Sequence, residues 1–273
     1  MRFKEFLLKE DEGVTMTLEQ GLEYIKERCI PYLQQIHGTH NWMYRGMRMP
    51  VNKVIHMDHI KERQPRDSAP AFNVFFNTGM ELAQGIDMIR SSALFCVGDI
   101  SVTGEYGNPY FVFPQGHFKY IWSQEITDSY VQEDRMYASF LRKLSDISSE
   151  DTAIVAQGKD AFNKVLNASG GNIRRAVTNM KTNDELVEEA FQESGIKATV
   201  EEIDRALTIV FDDLYIPNDS LDTALGRGGE VLIYESDGCF FVPVGLVMAH
   251  IRADENLEGQ SPEEFLTNYF WGA

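Results

Sequence analysis

The sequence predicts a mixed α+β fold. Apolar residues recur at helical steps of three and four in several stretches. Elsewhere, short aliphatic and aromatic runs are bounded by glycine and proline, as strands are. The chain has 273 residues, of which 43% are hydrophobic and 11% aromatic. That is long and apolar enough for a real core and too rich for a disordered segment.

Residues 17–36 read as an amphipathic helix. Thr17 and Gln20 have capping-box spacing, Leu18, Leu22, Ile25, Cys29, Leu33 and Ile36 form one face, and Pro31 should kink or split it. Trp42 to Gly46 reads as a short strand. Residues 50–71, with Pro50, Pro65 and Pro70, read as a loop or short helical piece, locally basic through Lys61, Arg63 and Arg66. A helix is expected over 71–86, weakened by Gly79. Strands are expected at Ser91–Val97 and Tyr110–Pro114, with Tyr120–Trp122 a third strand or a helix start. Residues 128–145 have helical period.

Residues 146–205 read as mostly helical, with a break at Gly170-Gly171 and an apolar face from Leu186 to Phe191. A further helix spans 199–211. The whole block 130–211 is expected as a helical insertion within one domain, 1–273. Strand character returns at Glu230–Tyr234. Ser236-Asp237-Gly238 looks like a tight turn to a hairpin partner, Cys239–Val244. A last helix is expected over 262–271, capped by Ser261 with Pro262 in its first turn.

Charge and cysteine usage narrow the function. Lys+Arg is 25 and Asp+Glu 42, a net charge of −17, which disfavours general binding to phosphate backbones. Cys29, Cys96 and Cys239 are far apart and form no CxxC pair, so they read as buried small side chains in a reducing compartment. Trp42, Trp122 and Trp271 read as core anchors. The charged N-terminus carries no secretion signal, and no apolar run is long enough to span a membrane. There is no P-loop, GxGxxG unit or GxSxG elbow. The pairs His37/His40 and His56/His59 lack carboxylates at zinc-ligand spacing, so no metal is expected. The cluster Gly226-Arg227-Gly228-Gly229 is most simply a flexible approach to a strand.

Three pieces stand out in chain order: Tyr44-Arg45-Gly46, then Arg90-Ser91-Ser92-Ala93-Leu94-Phe95, then Gly228-Gly229-Glu230-Val231-Leu232-Ile233. Singly they mean little. A strand arginine is usually an ion-pair partner, a Ser-Ser dipeptide carries nothing, and a glutamate after Gly-Gly is often a solvated edge residue. Together, their order resembles the mono-ADP-ribosyltransferases of the R-S-E class, over about residues 17–125 and 225–250. That family includes bacterial toxins and enzymes that bacteriophages inject or express in their hosts.

The resemblance implies two packed antiparallel sheets around an NAD cleft, with N-terminal helices and a helical insertion. It implies NAD as substrate and a macromolecular acceptor, most simply a host protein, met in the host cytoplasm or after packaging in a virion. Arg45 would hold phosphate oxygens, and Gly46 would let the backbone approach the cofactor. Ser91 and Ser92 would bind the nicotinamide ribose, and Tyr106 would stack on nicotinamide. Glu230 would bind the ribose 2′-OH and stabilise the oxocarbenium-like cation. Two departures matter. Arginine-modifying members carry Glu or Gln two residues before the catalytic glutamate, where this chain has Gly228. The middle motif ends in Ala93 rather than a hydroxyl residue. The alternatives are a non-catalytic phage structural or interaction protein on the same scaffold, or an unrelated α+β hydrolase-like or binding protein.

Overall fold

The computed structural model describes residues 13–39, 41–58, 70–129, 131–147, 164, 168 and 198–272. The chain divides into two compact units. The first is Met1–Ile60, Leu94–Ile121 and Asn218–Ala273, and the second is Lys61–Ala93 and Trp122–Pro217. The expected insertion 130–211 thus shares its unit with residues from 61 to 93. The expected features at 170–171 and 186–191 lie outside the described residues.

The first unit is built on antiparallel strands. Its helical entry follows the predicted pattern: α1 (Leu18–Arg28) begins at Thr17, whose hydroxyl accepts from the Gln20 amide while the Gln20 side chain accepts from the Thr17 amide. The helix breaks at Cys29, which stays buried with the rest of the face, and α2 (Ile30–Gln35) restarts with Pro31 in its first turn, where a missing N–H costs nothing. Strands follow: β1 (Val14–Met16), β2 (Tyr44–Met47), β3 (Val54–Met57), β4 (Leu94–Val97), β5 (Asn108–Pro114), β6 (Lys119–Trp122), β8 (Glu230–Tyr234) and β9 (Cys239–Pro243). With the two-residue β7 (Ile216–Pro217), they belong to one nine-stranded sheet. Its order from the β1 edge is β1-β3-β9-β5-β2-β4-β8-β6 before β7.

That order corrects the expected hairpin. β8 lies between β4 and β6, and β9 lies between β3 and β5. The turn residues do bend the chain, with Glu235 at φ 50° and Gly238 at φ 151°. The bend delivers the chain to another part of the sheet instead of to the neighbouring position.

The same link shows that the sheet is not flat. β8 and β9 are four strand spacings apart in the order, about 19 Å in a flat sheet at ~4.8 Å each. Five extended residues from Tyr234 to Cys239 would reach at most about 18 Å, and this link is bent. Pro114 to Lys119, from β5 to β6, makes the same four-strand jump in the same length. The sheet therefore folds over, bringing the ends of β5 and β8 toward the starts of β9 and β6. The two links also tie each other: the Gln115 amide donates to the Gly238 carbonyl at 2.8 Å, and Lys119 Nζ pairs with Glu235 at 2.7 Å.

The ladder thins between β2 and β4. β4 and β8 share four paired positions, from Leu94↔Ile233 to Val97↔Glu230, and β2 and β5 also share four. Between β2 and β4 there is one, Tyr44↔Val97. The strand order is continuous, but it has a seam.

In the second unit, α3 (Pro70–Gln84), α5 (Glu133–Ile147) and α6 (Val200–Leu214) surround an aromatic core. Phe75 lies against Tyr137, Phe140 and Phe211, with ring centroids 4.7–5.6 Å apart. A Cβ at Gly79 would stand 2.2 Å from the Phe211 ring, so packing explains this mid-helix glycine. Ser91 and Ser92, expected in a strand, lie instead on the short helix α4 (Ile89–Ser92). There the Ser92 amide and hydroxyl both donate to the Met88 carbonyl, closing a helical turn ahead of β4. Arg90 on the same turn is buried, donating to Asn73 and Ser129 with its guanidinium over the Phe72 and Phe76 rings. The second unit therefore accounts for this arginine as a local fastening.

Candidate active site at the seam of the sheet

Arg45 and Glu230 lie on the two strands that flank β4 in the first unit, Arg45 across the seam from it and Glu230 on its other side. Glu230 opens β8, is 4% exposed and pairs with Val97. Val97 in turn pairs with Tyr44, so Tyr44, Val97 and Glu230 form one row across three adjacent strands. Arg45 is the next residue along β2. In a regular ladder, alternation would send its side chain to the face opposite Glu230. Beyond the single bridge, β2 and β4 are no longer a regular ladder, and the Arg45 guanidinium turns to β4, where Nη1 donates to the Phe95 carbonyl.

Gly46 and Tyr106 are brought together, for a reason the sequence reading did not give. A Cβ at Gly46 would stand 2.2 Å from the Thr103 carbonyl oxygen and 2.8 Å from Tyr106 Cβ. The close approach that needs glycine here is by the chain's own 3₁₀ turn, Ile100–Glu105, and the tyrosine that ends it. The turn before Glu230 is also packed closely against β4. Leu225 and Gly226 end α7 (Leu221–Gly226), and a Cβ at Gly98 would meet the Leu225 carbonyl oxygen at 2.0 Å. Gly228 takes φ +70°, and its Cβ position would be 3.2 Å from the Asp99 side chain. These contacts seat the residues just before Glu230 against the end of β4.

Ser91 and Ser92 belong to the second unit, so of the six candidate residues the first unit gathers four: Arg45, Gly46, Tyr106 and Glu230. The sequence reading quoted Tyr44 within the first motif and gave it no role. This tyrosine is buried beside Arg45, and its hydroxyl donates to Glu263 at 2.9 Å. Burial and the adjacent carboxylate push its pKa far above the ordinary tyrosine value. Its place next to a singled-out arginine was the one available signal.

All three cysteines are buried free thiols, and burial pushes Cys29 and Cys239 well above the usual thiol range, so neither is a ready nucleophile. Among the described residues no group of three or more His, Cys, Asp or Glu is placed to hold a metal ion. No helix among them is long and apolar enough to cross a membrane. No family model, curated protein or solved structure matches the chain.

Proposed function

We propose that the protein is an NAD-dependent mono-ADP-ribosyltransferase that moves ADP-ribose to a macromolecular acceptor, most simply a host protein, and releases nicotinamide. The observation that carries this reading is strand adjacency. β2 with Arg45 and β8 with Glu230 lie on either side of β4, although the two residues are far apart in the sequence. A sheet that folds over and thins at β2–β4 also supports the packed pair of sheets implied by the resemblance.

On this reading the seam admits the dinucleotide. Arg45 supplies a permanent charge with N–H groups in a fixed fork for pyrophosphate oxygens. Tyr106, held at the strand by Gly46, offers a ring for nicotinamide. Glu230 accepts a hydrogen bond from the ribose 2′-OH, and its negative charge steadies the cation that forms as the C1′–N bond to nicotinamide breaks. That charge matters most in the transition state, so it acts on turnover more than on affinity. An acceptor nucleophile then bonds to C1′ and gives up its proton. With Gly228 two residues before Glu230, no carboxylate or amide is present there to engage an arginine acceptor. The acceptor is then another side chain, a nucleic-acid base or water. Ser91 and Ser92 keep their assignment to the nicotinamide ribose from the resemblance alone.

One observation favours the second reading, a non-catalytic scaffold: Glu230 is buried and Arg45 is already engaged by a backbone carbonyl. Nicotinamide release from NAD separates the two. A transferase cleaves NAD, and Glu230→Gln lowers that rate by about 10²–10³ or more with the thermal midpoint little changed. Wild-type protein that leaves NAD intact, alone and with host lysate, supports the scaffold. Release that continues unchanged in Glu230→Gln rules out the seam as the site.

A further inference from the structure

We propose that the link between β4 and β5 is a movable strap that closes over Glu230 and lifts to uncover it. The motion stands on the fold alone, whereas NAD as the ligand behind it rests on the function proposed above. Strand order forces the link across β2, which lies between β4 and β5. β4 ends with Val97 opposite Tyr44, and β5 starts with Asn108 opposite Met47. The chain from Gly98 to Gly107 therefore passes from one side of β2 to the other while running about 10 Å along it.

Alternation decides which face it crosses. Tyr44, Val97 and Glu230 pair in one row, so their side chains share a face. Gly46 lies two residues beyond Tyr44, on the regular ladder with β5, so its Cβ position points to that face as well. The Thr103 carbonyl and Tyr106 occupy that position. The start of the strap is placed by a second contact, with Asp99 Cβ 3.2 Å from the Cβ position of Gly228, two residues before Glu230. The strap thus covers the face that carries Glu230, which accounts for a glutamate only 4% exposed.

The strap is built to move as one piece. Its shape is held from within: the Ser101 amide donates to Asp99 Oδ1, the Val102 amide to the Asp99 carbonyl, the Thr103 hydroxyl to the Ile100 carbonyl and the Tyr106 amide to the Thr103 carbonyl. Lifting breaks none of these bonds. A glycine stands at each end, and Gly107 takes φ +140°. Cβ atoms there would meet the Leu225 carbonyl oxygen at 2.0 Å and the Met47 carbonyl oxygen at 2.5 Å, so the closed seat is sterically defined. Ser101, Gly104 and Glu105 face outward, while Thr103 is buried beneath. Under the strap β2 and β4 share a single bridge, so lifting opens the seam without tearing a ladder.

Two cysteine probes in the full chain test the motion: Thr103→Cys on the underside of the strap and Glu230→Cys below it. The buried Cys29, Cys96 and Cys239 serve as internal clocks for global unfolding. Maleimide labelling is followed peptide by peptide by mass spectrometry, without denaturant. Each introduced thiol is expected to label about 10²-fold faster than the native three, because it is reached by local opening. A folded variant whose probe labels no faster than the native thiols overturns the strap, and if one variant fails to fold the other decides alone. NAD then separates ligand from motion. At ten times its dissociation constant, NAD held under the strap should slow labelling of the Thr103→Cys thiol about tenfold. Fast labelling that millimolar NAD leaves unchanged keeps the strap and removes NAD as the ligand of the seam.

Discussion

The two flanks of β4 differ in what joins them. Toward β8 the strand is fastened by its own backbone, with four consecutive paired positions. Toward β2 it has one, and the rest is done by side chains and close packing: the Arg45 bond to the Phe95 carbonyl, and the 3₁₀ turn pressed onto Gly46. A backbone ladder is largely indifferent to side-chain identity. A seam held by side chains depends on particular residues, so substitutions there should show the contrast.

The largest loss is expected at Gly46. Alanine places a Cβ 2.2 Å from a backbone oxygen, which cannot swing away as a side chain can. Gly46→Ala should cost about 3 kcal/mol or more in urea denaturation. Gly104→Ala, in the same turn but with open space around the new methyl, should change stability by less than about 0.5 kcal/mol. Similar costs at the two positions would show that the turn does not press on β2.

Alkaline pH gives the next effect. Burial raises the pKa of Tyr110 to about 12, and Tyr44 is pushed up further by burial and Glu263. A raised pKa in the folded state means stabilisation that is complete below the unfolded value near 10. It is lost as pH rises toward the folded value, because the unfolded chain ionises first. Thermal midpoints measured from pH 8 to 12 should stay level and then fall above about pH 10. A midpoint that rises over that interval contradicts the burial of these hydroxyls.

Arg45→Met should cost about 2 kcal/mol by removing a charge-assisted bond to β4, and Arg45→Lys should recover part of it. The smallest effect is expected for Tyr44→Phe, about 1 kcal/mol for the Glu263 bond. In a Glu263→Ala background, which removes the acceptor, Tyr44→Phe should cost less, and a full undiminished cost there means that the hydrogen bond is not the source.

The parts of this architecture that were legible are those governed by nearby residues. Thr17 with Gln20 and Ser261 with Pro262 announce helix starts through local residues, and both helices start there, the second with a box completed by Glu264 that went unremarked. The helix over 199–211 was visible by period, although its own box, Thr199 with Glu202, went unremarked. Partners distant in sequence were not legible. Val54–Met57 lies in a polar, proline-bearing stretch read as loop or helix, and becomes a strand because β1 and β9 pair on either side of it. Val244–Ala253, the helix that follows β9, went unseen because Pro243 starts it without a side-chain cap. The Ser236-Asp237-Gly238 turn has the chemistry of a hairpin, but turn chemistry does not specify which strand receives the chain. At the seam, the order of three short motifs singled out β2, β4 and β8. The single bridge between β2 and β4 is a tertiary fact with no local signature.

The two interlocked links have a bearing on how the chain is made. β5 waits for β9, and β4 waits for β8, across well over a hundred intervening residues. During synthesis, the middle strands leave the ribosome long before the segments that cover their edges. Loop closure over such spans is slow, and uncovered strand edges invite pairing with other chains. The fold is thus completed from its last fifth, and truncation just before Glu230 should leave a nascent chain that needs chaperones to stay in solution.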